Sequence, residues 1–177
     1  MKYISMLRGI NVSGQKKIKM ADLATLYESL GFDNVVTYIQ SGNVIFDVAS
    51  KKKTDLILAI EKAIERQYSF QVPVVLRTGR EFKIIIDNCP FGVIDDATKV
   101  LVTFLSATPT QSNLERLQAS VTAPERCVIQ GTEVFLSCPN GYGGSKLSNA
   151  FLEKRLGVNA TTRNWKSVCR LYQLSME

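Results

Sequence analysis

Apolar positions along the chain follow two alternating rhythms, one of strand length and one of helical spacing, and their order predicts the fold class. Residues 3–7, YISML, form a short run of strand length. After a polar loop, Met20, Leu23, Ala24, Tyr27 and Leu30 fall on one face of a helix that Gly31 is placed to end. VVTYIQ and NVIFDV then flank Ser41-Gly42 as the arms of a hairpin. In the next helix Leu56, Ile57, Ile60, Ala63 and Ile64 share a broad face, with Thr54 or Asp55 as the expected N-cap. VPVVLRT, residues 72–78, closes the unit as a strand. The resulting order is β-α-β-β-α-β, the split βαβ arrangement of ferredoxin-like folds.

GREFKIIIDNCPFG reads as a short connector helix that Pro90 stops near Cys89. The pattern then restarts. KVLVTFLSA is a strand, TQSNLERLQA a helix, ERCVIQG and TEVFLSC a hairpin around Gly131, SKLSNAFLEKRLG a helix ended by Gly157, and VNATT a short final strand. A last helix, residues 163–174, puts Trp165, Val168, Cys169 and Tyr172 on one docking face. The expected class is therefore α+β: tandem duplicated ferredoxin-like (split β-α-β) units with antiparallel sheets and a C-terminal helix. The units are expected at residues 1–78 and 100–177, with a connector over 79–99.

Composition narrows the chemistry more than the fold. A chain of 177 residues, 45% of them apolar, can build a sizeable core, and no run of membrane-spanning length or secretory segment interrupts it. A soluble, cytoplasmic protein is expected, without membrane attachment. Its four cysteines, Cys89, Cys127, Cys138 and Cys169, are widely spaced and read as reduced and mostly buried. The absence of histidine excludes Ser-His-Asp and Cys-His catalysis and His-containing zinc sites. No pair of acids stands out, since Asp95 and Asp96 are adjacent and read as solvated, so no metal and no cofactor is expected.

The formal net charge of +6 permits an anionic partner, and its distribution is uneven. Residues 1–19 hold Lys2, Arg8, Lys16, Lys17 and Lys19 with no acid. Residues 141–170 hold Lys146, Lys154, Arg155, Arg163, Lys166 and Arg170 against Glu153 alone.

Four segments are candidate sites, each with a plainer alternative. Arg8-Gly9-Ile10-Asn11 and the lysines after it follow a strand and precede a helix, a place where backbone N–H groups and a helix N-terminus suit a phosphate or carboxylate. The alternative is a solvated basic loop, for neither a P-loop nor a dinucleotide motif is present. Gln40-Ser41-Gly42-Asn43 offers amides and a hydroxyl at a hairpin tip, although asparagines in turns often bond their own backbone. PNGYGGSKLSN, residues 139–149, is glycine-rich and carries Lys146 into a helix start, but Ser145-Lys146 is in the wrong order for a nucleotide-triphosphate loop. In TTRNW, residues 161–165, Thr161 or Thr162 is expected to cap a helix with Arg163 and Asn164 in its first turn. A cation is misplaced there unless it meets an anion or an acidic side chain.

LRGINVSGQKKIKM, YIQSGNVIF and TTRNW together resemble the bacterial family known as domain of unknown function 1697 over nearly the whole chain. Ser13 stands where a second glycine is common in that pattern. The resemblance implies a duplicated ferredoxin-like fold and places Arg8, Asn11, Gln40, Asn43, Arg163 and Asn164 at signature positions, but it brings no substrate or reaction. These polar groups are expected to converge near the junction of the repeats. Arg8, Asn11, Lys17, Gln40, Ser41, Asn43, Lys146, Arg163 and Asn164 are the candidate ligand-binding residues.

Three functions stay open: binding of a small anionic ligand or nucleic acid, an enzyme acting on a small phosphorylated substrate, and a structural or protein-interaction module. Both a monomer and a homodimer are compatible with the sequence.

Overall fold

The computed structural model describes residues 1–49 and 51–177. The first repeat consists of β1 (Lys2–Leu7), α1 (Met20–Ser29), β2 (Asp33–Tyr38), β3 (Asn43–Asp47), α2 (Lys53–Tyr68) and β4 (Val74–Thr78), followed by α3 (Gly79–Asp87). The second runs through β5 (Val100–Leu105), α4 (Gln111–Gln118), β6 (Arg126–Gln130), β7 (Glu133–Ser137), α5 (Asn149–Leu156) and β8 (Ala160–Asn164) to α6 (Trp165–Met176). Each sheet is antiparallel, with orders β2-β3-β1-β4 and β6-β7-β5-β8. That is the ferredoxin-like order twice, each time with one further helix after the last strand. The chain divides into two compact units, Met1–Lys83 with Leu171–Glu177, and Ile84–Arg170.

The period-2 strands and the amphipathic helices meet as their patterns require. In the first repeat Tyr3, Leu7, Val44, Phe46, Val74 and Leu76 pack on Leu23, Leu26 and Tyr27 of α1 and on Leu56, Ile60 and Ile64 of α2. In the second, Leu101, Leu105, Val134 and Leu136 pack on Leu117, Leu152 and Leu156. Each central strand also buries a hydroxyl among these apolar groups. Ser5 Oγ shares a 2.7 Å hydrogen bond with Tyr27 Oη. Thr103 bonds Thr162 at 2.7 Å, and Thr162 donates onward to Asn149 Oδ1 at 2.6 Å, so Thr103 is the donor to Thr162.

The duplication extends to individual polar groups. Glu61 Oε1 accepts the N–H of Val74, and Glu153 Oε1 accepts that of Ala160, the first residue of the corresponding strand. Arg77 pairs with Ile4 in β1, and Arg163 pairs with Val102 at the same register point of β5; both arginines are 7% exposed. Thr78 Oγ1 accepts from the N–H of Glu81 in α3, and Asn164 Oδ1 accepts from that of Ser167 in α6.

Several local expectations are corrected. TTRNW does not open a helix: Thr161 to Asn164 continue β8 in register with β5, and α6 begins at Trp165 with Asn164 as its cap. Arg163 is thus a strand residue, and no penalty from a helix dipole applies to it. Neither Thr54 nor Asp55 caps α2, whose N-cap is Lys52 without a side-chain bond. The buried face of α6 is formed by Ser167, Val168, Leu171 and Ser175, leaving Trp165, Cys169 and Tyr172 half-buried at its margin. Two of those inward positions are serines, which carry no apolar signal. Ser175 packs so close to Gly79, at the start of α3, that a Cβ on the glycine would lie 2.6 Å from the Ser175 Oγ, so position 79 has no room for a side chain. Of the four free cysteines only Cys138 is buried, and the other three are half-buried.

Candidate functional site

The segment from Arg8 to Lys19 is folded into a small hairpin. Gln15 N–H bonds Val12 O at 2.9 Å and Asn11 N–H bonds Lys16 O at 3.2 Å, closing a two-residue turn at Ser13-Gly14. Both turn residues have positive φ, 48° and 75°, as a type I′ turn requires. Asn11 and Lys16 at its base are also left-handed, with φ of 55° and 45°. Three non-glycine residues in that region are an uncommon concentration of backbone strain.

What holds the hairpin in place is local. Ile10 and Ile18, on either side, are buried in the core beneath α1 and α2. The Asn11 side chain donates to Ile18 O at 2.9 Å and to Gln40 O at 2.8 Å and accepts from Ile18 N–H at 2.9 Å, clamping the loop to itself and to the β2–β3 turn. Lys16 Nζ donates to Gln71 O at 2.6 Å. Arg8 N–H bonds Pro73 O, and Leu7 N–H bonds Gly42 O.

The hairpin tip Ile39–Gly42 lies beside it. Asn43 is fully buried and donates to Tyr38 O and Ser41 Oγ, both at 3.0 Å. Gln40 contributes its carbonyl to Asn11, while its side chain is exposed. The structure therefore brings Arg8, Asn11, Lys17, Gln40, Ser41 and Asn43 to one end of the first sheet, and among them Asn11 bonds backbone groups through its amide while Asn43 donates to one backbone carbonyl and to the Ser41 hydroxyl. Lys17 and Lys19 are exposed and form no ion pair among the described residues, flanking buried Ile18. Lys19 is also the N-cap residue of α1, whose first N–H groups receive no side-chain cap; Asp22 is the acid of that turn.

In the second unit, burial pushes the Arg163 guanidinium down to about 10, which leaves it charged at neutral pH. It donates to Thr161 Oγ1 at 2.9 Å and to Thr162 O at 3.0 Å. Lys146 is exposed and lines a cleft that does not include Arg163 or Asn164. Tyr3 and Phe46 offer no platform for stacked bases, because they stack on each other inside the helix-covered core. Among the described residues no group of three Cys, Asp or Glu is placed to hold a metal ion, and no helix is long and apolar enough to cross a membrane.

Two polar devices escaped the sequence reading. Thr78-x-x-Glu81 is a capping box, with Glu81 Oε2 accepting from Thr78 N–H at 2.6 Å and Oγ1 at 2.9 Å. Its signature was legible in TGRE. The Glu61 and Glu153 bonds had no such signature, since they join residues whose spacing differs between repeats.

Residues 1–135 match the family described as protein of unknown function (DUF1697). The chain belongs to this family. Its fold is similar to that of the conserved bacterial protein SP0830 from Streptococcus pneumoniae, at 21% identity and a TM-score of 0.75 over 98% of each chain. No curated protein matches it. Family membership agrees with the resemblance carried by the opening loop and the hairpin, and it leaves the function to be argued from the site.

Proposed function

We propose that this DUF1697 chain is a cytoplasmic anion-binding protein whose ligand, a small phosphate-bearing molecule or a nucleic-acid strand, is held by the loop of residues 8–19. Lys17 and Lys19 supply the charge, Arg8 stands at the root of the loop, and the uncapped N-terminus of α1 adds backbone donors. The four free thiols suit a reducing compartment.

The observation that carries this reading is the difference between the two repeats. From β1 to α1 the first repeat uses residues 8–19, whereas from β5 to α4 the second closes the same connection with residues 106–110. The second repeat leaves an open depression there, lined by Ser106, Glu153, Gly157, Val158 and Asn159. Closing the fold therefore needs only the short version. The longer one is ordered at the cost of left-handed backbone, contains no acid, and presents two exposed lysines without an ion pair among the described residues; strain held in a basic loop is what a binding site requires and a connector does not.

The test is a heteronuclear NMR titration with pyrophosphate and with a single-stranded RNA oligonucleotide. Pyrophosphate is expected to shift the amides of residues 11–21, and Lys17→Ala with Lys19→Ala is expected to weaken binding by about tenfold or more, as loss of charge-assisted contacts does. If the oligonucleotide is the better ligand, its affinity falls with salt with a slope of roughly 0.7 per neutralised phosphate. Shifts that map elsewhere, or affinities unchanged in the double variant, would overturn the reading.

A further inference from the structure

The second repeat has elaborations of its own, at the other end of its sheet. Between α4 and β6 it uses residues 119–125, where the first repeat connects α1 to β2 with residues 30–32. Between β7 and α5 it uses residues 138–148, against residues 48–52. Both longer segments line one cleft of about 210 Å³, the first through Thr122 and Glu125 and the second through Asn140, Gly141, Gly144 and Lys146. Its size lies below the roughly 300–1,000 Å³ of drug-sized pockets, so its occupant is small.

Two features of the walls define that occupant. Lys146 and Glu125 both line the cleft and carry opposite charges, yet neither is ion-paired with the other or with any described group. Oppositely charged groups that share a cleft without touching match a ligand that carries both charges itself, placed between them. Gly141 and Gly144 form part of the lining. A Cβ at Gly141, Gly143 or Gly144 would meet no atom of the chain within 4 Å, and Gly143 and Gly144 have ordinary negative φ, so neither crowding nor backbone geometry excludes a side chain there.

We propose that this cleft binds a zwitterionic small molecule of the size of a free amino acid, with its carboxylate toward Lys146 and its ammonium toward Glu125. The site is independent of the loop at residues 8–19 and stands or falls separately from it.

The experiment is an amide NMR titration of the full chain with an equimolar mixture of the twenty L-amino acids, followed by each alone. Saturable shifts are expected at residues 122–125 and 140–146. They should weaken at least tenfold in Lys146→Ala and in Glu125→Gln, both of which change solvent-accessible side chains and leave the remaining spectrum as a check on folding. The N-acetyl amide of the best ligand, lacking both charges, should not bind. The absence of saturable shifts with the mixture would overturn the proposal, as would shifts that persist in the double variant or with the neutral derivative.

Discussion

Ser5 and Tyr27 show how much a single polar pair can matter inside an apolar core. The bond between their hydroxyls is buried, and burial, partly countered by the Ser5 bond, raises the Tyr27 phenol beyond its ordinary range. Ser5→Ala or Tyr27→Phe alone strands one hydroxyl without water and is expected to cost about 1–3 kcal/mol. The double variant removes both and should cost less than the sum of the two, a coupling measurable in a urea-denaturation cycle. Gly42 is the other position where one atom decides. Its φ is +78°, and a Cβ there would lie 2.6 Å from Ile10 Cδ1 and 2.9 Å from Leu7 Cβ. Gly42→Ala therefore adds overlap to left-handed strain, and a loss of about 2–4 kcal/mol is expected by the same denaturation measurement. The glycine of QSGN was visible in the sequence as a turn signal. That it is pressed against the root of the basic loop was not, because Ile10 is some thirty residues away.

Among the elements, α3 and α6 illustrate what a local pattern can and cannot say. Glu81 at the start of α3 is raised by burial, but bonds from Lys53 and from the N–H and hydroxyl of Thr78 outweigh this and hold its carboxyl below the usual range. An acid depressed in the folded state contributes stability above its ordinary value of 4.5 and loses it as pH falls through the folded value. Wild-type protein should therefore lose stability from about pH 4.5 downward, and Glu81→Gln should flatten that limb of a stability-against-pH curve. An unchanged slope would show that Glu81 has no part in it. The start of α6 was misplaced for a related reason. Thr-Thr-Arg-Asn contains both a cap signal and a β-branched strand signal, and pairing with β5 settled the matter in favour of the strand.

For the whole molecule, the two-fold repetition of order, register, arginine and cap makes the departures from repetition informative: one basic hairpin in the first repeat, and two loops that line one cleft in the second. The thiols report on packing at the same scale. Burial, then proximity to Cys138, pushes Cys127 up to about 12, and burial likewise raises Cys138 and Cys169. Iodoacetamide at pH 8 should thus modify these three at least about tenfold more slowly in native protein than in urea, as followed by intact mass and peptide mapping, because the reactive thiolate is scarce. Equal rates would contradict the packing around them.

The sequence by itself determined the element order, the duplication, the helix faces of α1 and α2, the family, and the exclusion of histidine chemistry. These rest on periodicity and residue identity, which are properties of neighbours along the chain. Only the tertiary structure decided that Asn11 spends its amide on the backbone and Asn43 divides its amide between Tyr38 O and the Ser41 hydroxyl, that Arg163 belongs to a strand, and that Lys17 and Lys19 remain exposed while Lys16 is bound to Gln71. It also decided that Lys146 and Glu125, from different loops, line one cleft. The physical reason is common to all of them: a polar group's role depends on which partner reaches it, and the partners here come from segments too distant in the chain for any local pattern to bring together.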